Sequence, residues 1–440
     1  MTGLAAVLIP SLMGYFVLRC FRPWSADFSL TDIFLSVGLG AGLSVQIIFY
    51  SLLVLNHIAP TRIIQAHVLC LAGLFFCLYR YRPKQPVSFS CRLGQAAGLS
   101  AVLMLTALMA VIFALVRPWG DWDGWAYWNF HAKFLFDAGY GWRRIFEHGV
   151  QAHHPWLLPL LDIWGWSFYG AVKEAVPLAI GIIFTVSTVG LLVASLKKYV
   201  PFAWALLAGF FLVSIPGFIQ HGTSQYADIE AAFFILMSSV VAVDLLESPR
   251  GHTAVLTGLC LGLTACTKDN GIVAALLLLI LIIVRLSKSG SVALIRPLGW
   301  GFTATGLAVA LMRCFETYNP FSDSYAVFLP GLWNWHKWVF MARFAFHDLF
   351  GFHWGGLWIL ALAVLMACRG PWAMGKAAFL MPFMVSYAVF YFFIFALSAL
   401  NIQWLLSVAF DRTLYLLVPT LVFALFYAMA EGRADHYDRQ

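Results

Sequence analysis

The chain has 440 residues, 62% of them hydrophobic and only 11% charged, with a formal net charge of +7. Soluble domains carry about 25% charged residues, so this composition excludes an ordinary soluble enzyme. The basic excess does not point to nucleic acid, because Lys and Arg in so apolar a chain mostly report membrane topology.

Apolar runs of about 20 residues recur along the whole length, the length a helix needs to cross a bilayer core. The alternating short strands of a lipid-facing barrel are missing. The expected fold is an all-α polytopic membrane protein. Its first segment, "MTGLAAVLIPSLMGYFVLRCF", has no basic n-region and no small-residue cleavage site, and reads as a retained helix. About thirteen spans are expected, over 3–20, 33–56, 63–79, 95–116, 176–195, 201–219, 228–246, 254–267, 271–285, 297–312, 355–367, 377–399 and 413–430. No strong internal repeat and no inverted pattern of broken helices accompanies them, which weakens a secondary transporter. The eight cysteines show no paired spacing, and Cys70, Cys77, Cys260 and Cys266 fall inside apolar runs. They read as small hydrophobes, with no disulfide and no cysteine-based metal site.

The short loops orient these spans. "YRYRPKQPVSFSCR" holds Arg80, Arg82, Lys84 and Arg92, and the positive-inside rule makes it cytoplasmic. Alternation puts Arg19/Arg22, Lys197/Lys198, Arg250, Arg285/Lys288/Arg296, Arg369/Lys376 and a tail with Arg433 and Arg439 on the same side, 16 of the 27 Lys and Arg. Thirteen of the 20 acids fall opposite: Asp121, Asp123, Asp137, Glu147, Asp162, Glu174, Asp228, Glu230, Asp269, Glu316, Asp323, Asp348 and Asp411. The chain then divides into four N-terminal spans (1–116), an extracytoplasmic loop (117–175), further spans (176–312), a second extracytoplasmic loop (313–354), and C-terminal spans with a cytoplasmic tail (355–440). Both long loops are rich in Trp and Phe with scattered charge, the composition of amphipathic helices lying in the membrane interface. The expected location is the cell (inner) membrane.

The first long loop opens with "GDWDGWAYWNFHAKFLFDAG", residues 120–139. Asp123 suits a helix N-cap and Gly139 a helix end. Trp125, Trp128, Ala132 and Leu135 recur at helical spacing as an apolar stripe, while Asn129, Lys133 and Asp137 lie four apart on another face. The aromatics also suit a plain interfacial belt, and the aspartates solvated caps. Further on, "EHGVQAHHPWLLPLLDIWGW" sets His148, His153 and His154 near Glu147, but the spacing matches no standard zinc motif, and no metal is expected. Pro155 and Pro159 suggest a packed or re-entrant turn. In "YADIEAAFF" Asp228 and Glu230 open a span at its outer lip, where acids are expensive unless paired or functional; a favourable place at the positive end of the helix is the alternative, and a functional role is expected of Asp228 more than of Glu230. "LTACTKDNGI" puts Lys268 at a tight outer turn after a span barely long enough to cross, and "FDRTLYLLVP" puts Arg412 at the outer mouth of the last span. Each suits snorkelling; together they suit a phosphate clamp. Carboxylates that activate a nucleophile, cations for a phosphate leaving group and aromatic faces for sugar or lipid are what sugar transfer from a lipid phosphate requires. No Gly-rich phosphate loop is present.

Four places in order, "GDWDGWAYWNFHAKFLF", "HHPWLLPLL", "YADIEAAFF" with "GLCLGLTACTKDNG", and "DRTLYLLVP", make the chain resemble the polyprenyl-phosphate-sugar-dependent glycosyltransferases of the GT-C superfamily, such as protein O-mannosyltransferases and lipid A aminoarabinose transferases. The resemblance implies a fold of about thirteen helices and inverting transfer at the outer face, in loop 117–175, from a polyprenyl-phosphate donor to a lipid, polysaccharide or protein acceptor. It implies Asp121 or Asp123 as the base, Lys268 and Arg412 on the donor phosphate, and Asp228 shaping the site. Trp125, Tyr127, Lys133, His153 and His154 complete the expected substrate-binding set, with no cofactor. Two features depart from the family: three spans precede the acidic loop's own span, and Tyr415 stands three residues after Arg412 instead of beside it. A transporter or flippase of a lipid-linked saccharide, which would place acids and bases deep in mid-span, and a non-catalytic envelope assembly factor are the competing expectations.

Overall fold

A computed structural model describes residues 2–21, 29–80, 93–148, 153–315, 329–367 and 375–437. Arg22, Arg82, Lys84, Arg92, Glu316, Asp323, Arg369 and Arg439, and the side chains of His148 and Arg433, lie outside the described residues. Among the described residues there is no β-strand. The helices are α1 (Thr2–Phe21), α2 (Leu30–Leu55), α3 (Pro60–Arg80), α4 (Leu93–Val116), α5 (Asn129–Asp137), α6 (Ile145–His148), α7 (Leu157–Tyr169), α8 (Ala175–Leu196), α9 (Phe202–Ser214), α10 (Pro216–Thr223), α11 (Asp228–Glu247), α12 (Gly251–Ala265), α13 (Asp269–Lys288), α14 (Ile295–Arg313), α15 (Trp335–Leu349), α16 (Leu357–Ala367), α17 (Leu380–Leu397), α18 (Ile402–Tyr415) and α19 (Val418–Tyr437).

Among these, nine helices are long and apolar enough to cross a membrane, and up to eleven if two bent pairs each count as one span. The chain is therefore a multi-pass integral membrane protein. The bent pairs are α9 with α10, at 69°, and α18 with α19, at 44°. Pro216, at the first position of α10, breaks the first pair because it has no amide hydrogen to continue α9. Two of the expected spans are short helices: α12 has 15 residues and α16 has 11. At 1.5 Å per residue they reach only about 23 and 17 Å, less than the ~30 Å hydrocarbon core.

Helix α11 is the axis of the bundle. Its membrane-length window is 94% buried, against 17–61% for the other eight long helices, and it packs on α8, α12, α13 and α19. Its sequence explains this: apart from the acids near its two ends and the buried Ser238–Ser239 pair it is apolar all round, so every side needs a protein or lipid neighbour. α12 in turn lies directly on α14. A Cβ on Gly258 or Gly301 would fall 2.1 Å from a backbone oxygen of the facing helix, so only glycine permits this approach.

The first long loop is not wholly interfacial. Its second half forms α7, whose residues from Leu157 to Ser167 are all buried and pack on α1, α2, α3, α5 and α8. "LLPLLDIWGWSFY" has no polar face to offer water, which draws the helix inward. His67 of α3 stacks on Trp164 at 3.9 Å, and the Trp164 indole donates to the Ala6 carbonyl at 2.7 Å. Pro155 and Pro159 sit in the packed turn and first helical turn that introduce it.

Candidate functional site

The start of α11 collects charge from four separate stretches of chain. Asp228 is 2% exposed. Its Oδ1 accepts a bond from Lys268 Nζ, and its Oδ2 accepts one from Arg412 Nε at 3.0 Å. Arg412 Nη1 reaches on to Asp123 Oδ2 at 2.6 Å. The guanidinium also lies 4.2 Å from the Tyr226 ring centroid, a cation–π contact. The four ionised groups form one chain, Asp123–Arg412–Asp228–Lys268, with no formal net charge. Such burial is tolerable only because each charge is paired and hydrogen-bonded.

The loop that carries Asp123 is held against the α10–α11 turn. Gly120 has φ +71°, and a Cβ there would stand 2.4 Å from the Ser224 carbonyl oxygen. The Asp121 amide donates to that same oxygen at 3.0 Å. Asn129 Nδ2 donates to Gln225 Oε1 at 2.7 Å, and Gln225 Nε2 donates to the Pro118 carbonyl at 3.0 Å. The Asp123 amide donates to the Tyr226 hydroxyl at 3.3 Å. Burial pushes that hydroxyl up to about 12. Burial also raises the Tyr127 hydroxyl, and Asp123 beside it adds to the effect.

Two local expectations are corrected. Asp123 makes no side-chain cap bond, because its carboxylate is occupied by Arg412. Trp125 does not belong to the buried stripe: it is half exposed, whereas Trp128, Ala132 and Leu135 are buried. The cause is a π-helical turn over Gly124–Trp128, whose i→i+5 bonds change the angular spacing of side chains before α5 begins. Trp125 instead meets Trp122 edge-on at 4.5 Å.

A cavity of about 1060 Å³ opens above this network. Asp121, Asp123, Tyr127, His154, Lys268 and Arg412 line it, with Trp122, Trp128, Tyr226, Gln220, His221 and Asn270. Asp228 lies beneath the wall as the counter-ion of both cations. Asp121 faces the outer part and pairs with Arg117 at 3.0 Å across an exposed surface. Lys133 is exposed and does not line the cavity. His153 is buried behind His154, and burial, with His154 beside it, pushes its imidazole down to about 4.

The opposite wall comes from the second loop and the C-terminal helices, whose residues other than Arg412 were not among the expected site residues. Phe344 and Asp348 of α15, His353, Trp404, Asp411 and Tyr415 line it. Trp354 Nε1 donates to Asp348 Oδ2 at 3.1 Å, Tyr415 stacks on Trp354 at 4.3 Å, and the Tyr415 hydroxyl donates to the His353 carbonyl at 2.7 Å. Tyr415, one helical turn after Arg412, thus faces the same cavity. The repeated acid–aromatic pattern of both long loops was the available signal that they share a site.

No family model, curated protein or solved structure matches this chain.

Proposed function

We propose that the chain is a membrane glycosyltransferase that moves a hexosyl or pentosyl group from a polyprenyl-phosphate donor to a lipid, glycan or protein acceptor. The observation that carries this reading is the Asp123–Arg412–Asp228–Lys268 chain in the wall of a large aromatic cavity. In this reading the nine long helices and the two bent pairs cross, and the short helices α12 and α16 cross together with the residues that flank them, making thirteen spans. The cavity then faces away from the cytoplasm and the C-terminus lies on the cytoplasmic side of the cell membrane, as the loop charges favour.

The resting network has no spare positive charge, so a donor phosphate binds by drawing Arg412 away from Asp123. Arg412 keeps its Nε bond to Asp228, which holds the guanidinium in place. The freed Asp123 carboxylate takes the proton of the acceptor hydroxyl. The acceptor oxygen forms a bond to the anomeric carbon as the carbon–oxygen bond to phosphate breaks, with inversion, and the polyprenyl phosphate leaves with the bond's electron pair. Lys268 and Arg412 stabilise that developing charge in a site with little water. Asp123 is favoured over Asp121 as the base because it belongs to the shielded network beside both cations, whereas Asp121 lies in a more exposed pair with Arg117.

The test is sugar transfer from a labelled polyprenyl-phosphate donor in membranes containing the full chain. Asp123→Asn is expected to lower transfer by about 10²–10⁴-fold, the range of general-base catalysis. Undiminished transfer by the Asp121→Asn plus Asp123→Asn double variant sinks the assignment. A transporter or flippase of a lipid-linked saccharide has one observation of its own. Asp162 and Glu230 are both buried, and none of their four carboxylate oxygens has a hydrogen-bond partner among the described residues. Interior acids often mark an ion or substrate path. That reading predicts donor movement across the bilayer without transfer; an assembly factor predicts that the acid substitutions are harmless.

A further inference from the structure

Behind the cavity wall, the first long loop meets the start of α13 and the end of α14. His153 Nε2 and His154 Nδ1 lie 3.4 and 3.1 Å from the same oxygen of Asp269, Oδ2. The other oxygen, Oδ1, is held by Arg313 Nη2 at 2.6 Å. The three potential ligand atoms all lie within 4.8 Å of one another. Around a tetrahedral Zn²⁺ with ligands at about 2.0–2.1 Å, neighbouring ligand atoms stand roughly 3.3 Å apart. Two of the three edges already have that length, and rotation of one imidazole closes the third.

A second observation points the same way. His153 is 5% exposed, and its Nδ1 has no hydrogen-bond partner among the described residues. A buried imidazole with one long contact and one orphaned nitrogen has lost hydrogen bonds that water would give it. A metal bond at Nε2 replaces the long contact to Asp269 and offsets part of that loss. We propose that His153, His154 and Asp269 form a zinc site that clamps the first long loop to the α12–α13 turn. Arg313 keeps Asp269 monodentate and orients it, the part played by the outer partners of metal ligands. With two imidazoles, one available carboxylate oxygen and an arginine nearby, the set suits Zn²⁺ and not Ca²⁺ or Mg²⁺, which favour several oxygens.

The clamp has a structural consequence. Asp269 follows Lys268 directly, and His154 stacks on Trp128 at 5.5 Å and lines the cavity. Fixing His154 to Asp269 therefore fixes the two walls that meet at Lys268. This site stands whether or not the cavity transfers sugar.

The test uses the full chain without an affinity tag, purified in detergent, stripped with chelator and then titrated with Zn²⁺ against a chromogenic competitor. One zinc per chain is expected, with a zinc-dependent rise in the thermal unfolding midpoint. Co²⁺ in its place is expected to give the intense visible bands of tetrahedral nitrogen–oxygen ligation. His154→Gln leaves the Arg313–Asp269 pair intact, so the folded chain survives, and it is expected to weaken zinc at least tenfold and abolish the cobalt bands. His153→Gln is expected to do the same. Absence of zinc binding by the monodisperse parent chain overturns the proposal, as does unchanged zinc affinity in both histidine variants.

Discussion

The two ends of α11 carry the same kind of chemistry in different settings. At its start, Asp228 is buried and tied to Lys268 of the α12–α13 turn and Arg412 of α18, and a cavity of about 1060 Å³ opens beside them. At its end, Asp244 and Glu247 hold Lys198, but Lys198 is 53% exposed and its two acids 25% and 21%. A smaller cavity of about 460 Å³ lies there, lined by Lys197, Lys198, Asp244, Arg250 and His252. Water screens the second cluster and makes it a surface tie between neighbouring helices. The first is shielded, joins four parts of the chain, and has one member, Asp123, at the edge where a ligand can compete for Arg412. Two acids at each end of one helix thus say little until burial and connectivity are known.

Removing the shared counter-ion tests this contrast most severely. Asp228→Ala strips Lys268 of its buried counter-ion and leaves Arg412 with Asp123 alone; it is expected to cost about 3–5 kcal/mol of stability, read as detergent-phase thermal unfolding. A loss no larger than that of a surface pair would make the two ends equivalent. Asp123→Asn separates chemistry from folding: transfer falls by about 10²–10⁴-fold, while the unfolding midpoint moves much less than for Asp228→Ala. A matching stability loss would recast Asp123 as a structural member of the network. Gly120→Val combines φ +71° with a Cβ clash at the Ser224 carbonyl. It is expected to cost about 1–3 kcal/mol and to lift the Asp121–Asp123 loop, seen as faster proteolysis around that loop. Lys198→Met at the other end is expected to change stability by less than about 1 kcal/mol, and added salt should narrow that difference. A large, salt-independent loss there would erase the distinction between the ends.

Much of the bundle was legible because hydrophobic length is a local property. Nine of the expected spans appear as long apolar helices, and the span at 254–267 appears as the short α12. The start of α11, the Lys268 turn and Arg412 were singled out because charge at the lip of an apolar run is costly wherever the run packs. Their pairing was not legible. Arg412 reaches Asp123 across 289 positions, and no spacing rule connects them. The inward packing of α7 was missed because residues 117–175 were read as one aromatic loop; its continuous apolarity was the signal. The histidines were compared with Glu147 nearby, whereas their acid is Asp269, brought in by the α12–α13 turn.

Composition and apolar run length determined that this chain lives in a membrane as helices, because burying a backbone in lipid leaves few alternatives. Charge at the run ends also marked which residues need an explanation. The partners of those charges were decided by tertiary structure alone. Packing of α11 at the centre, the close α12–α14 contact and the docking of the 117–129 loop on Gln225 set which ions meet and which stay in water, and a burial-dependent dielectric converts that geometry into a shielded network at one end and a screened tie at the other. "GDWDGWAYWNFHAKFLFDAG" contributes Asp123 to the buried network and leaves Asp121 at the surface, a difference that two positions in a sequence do not disclose.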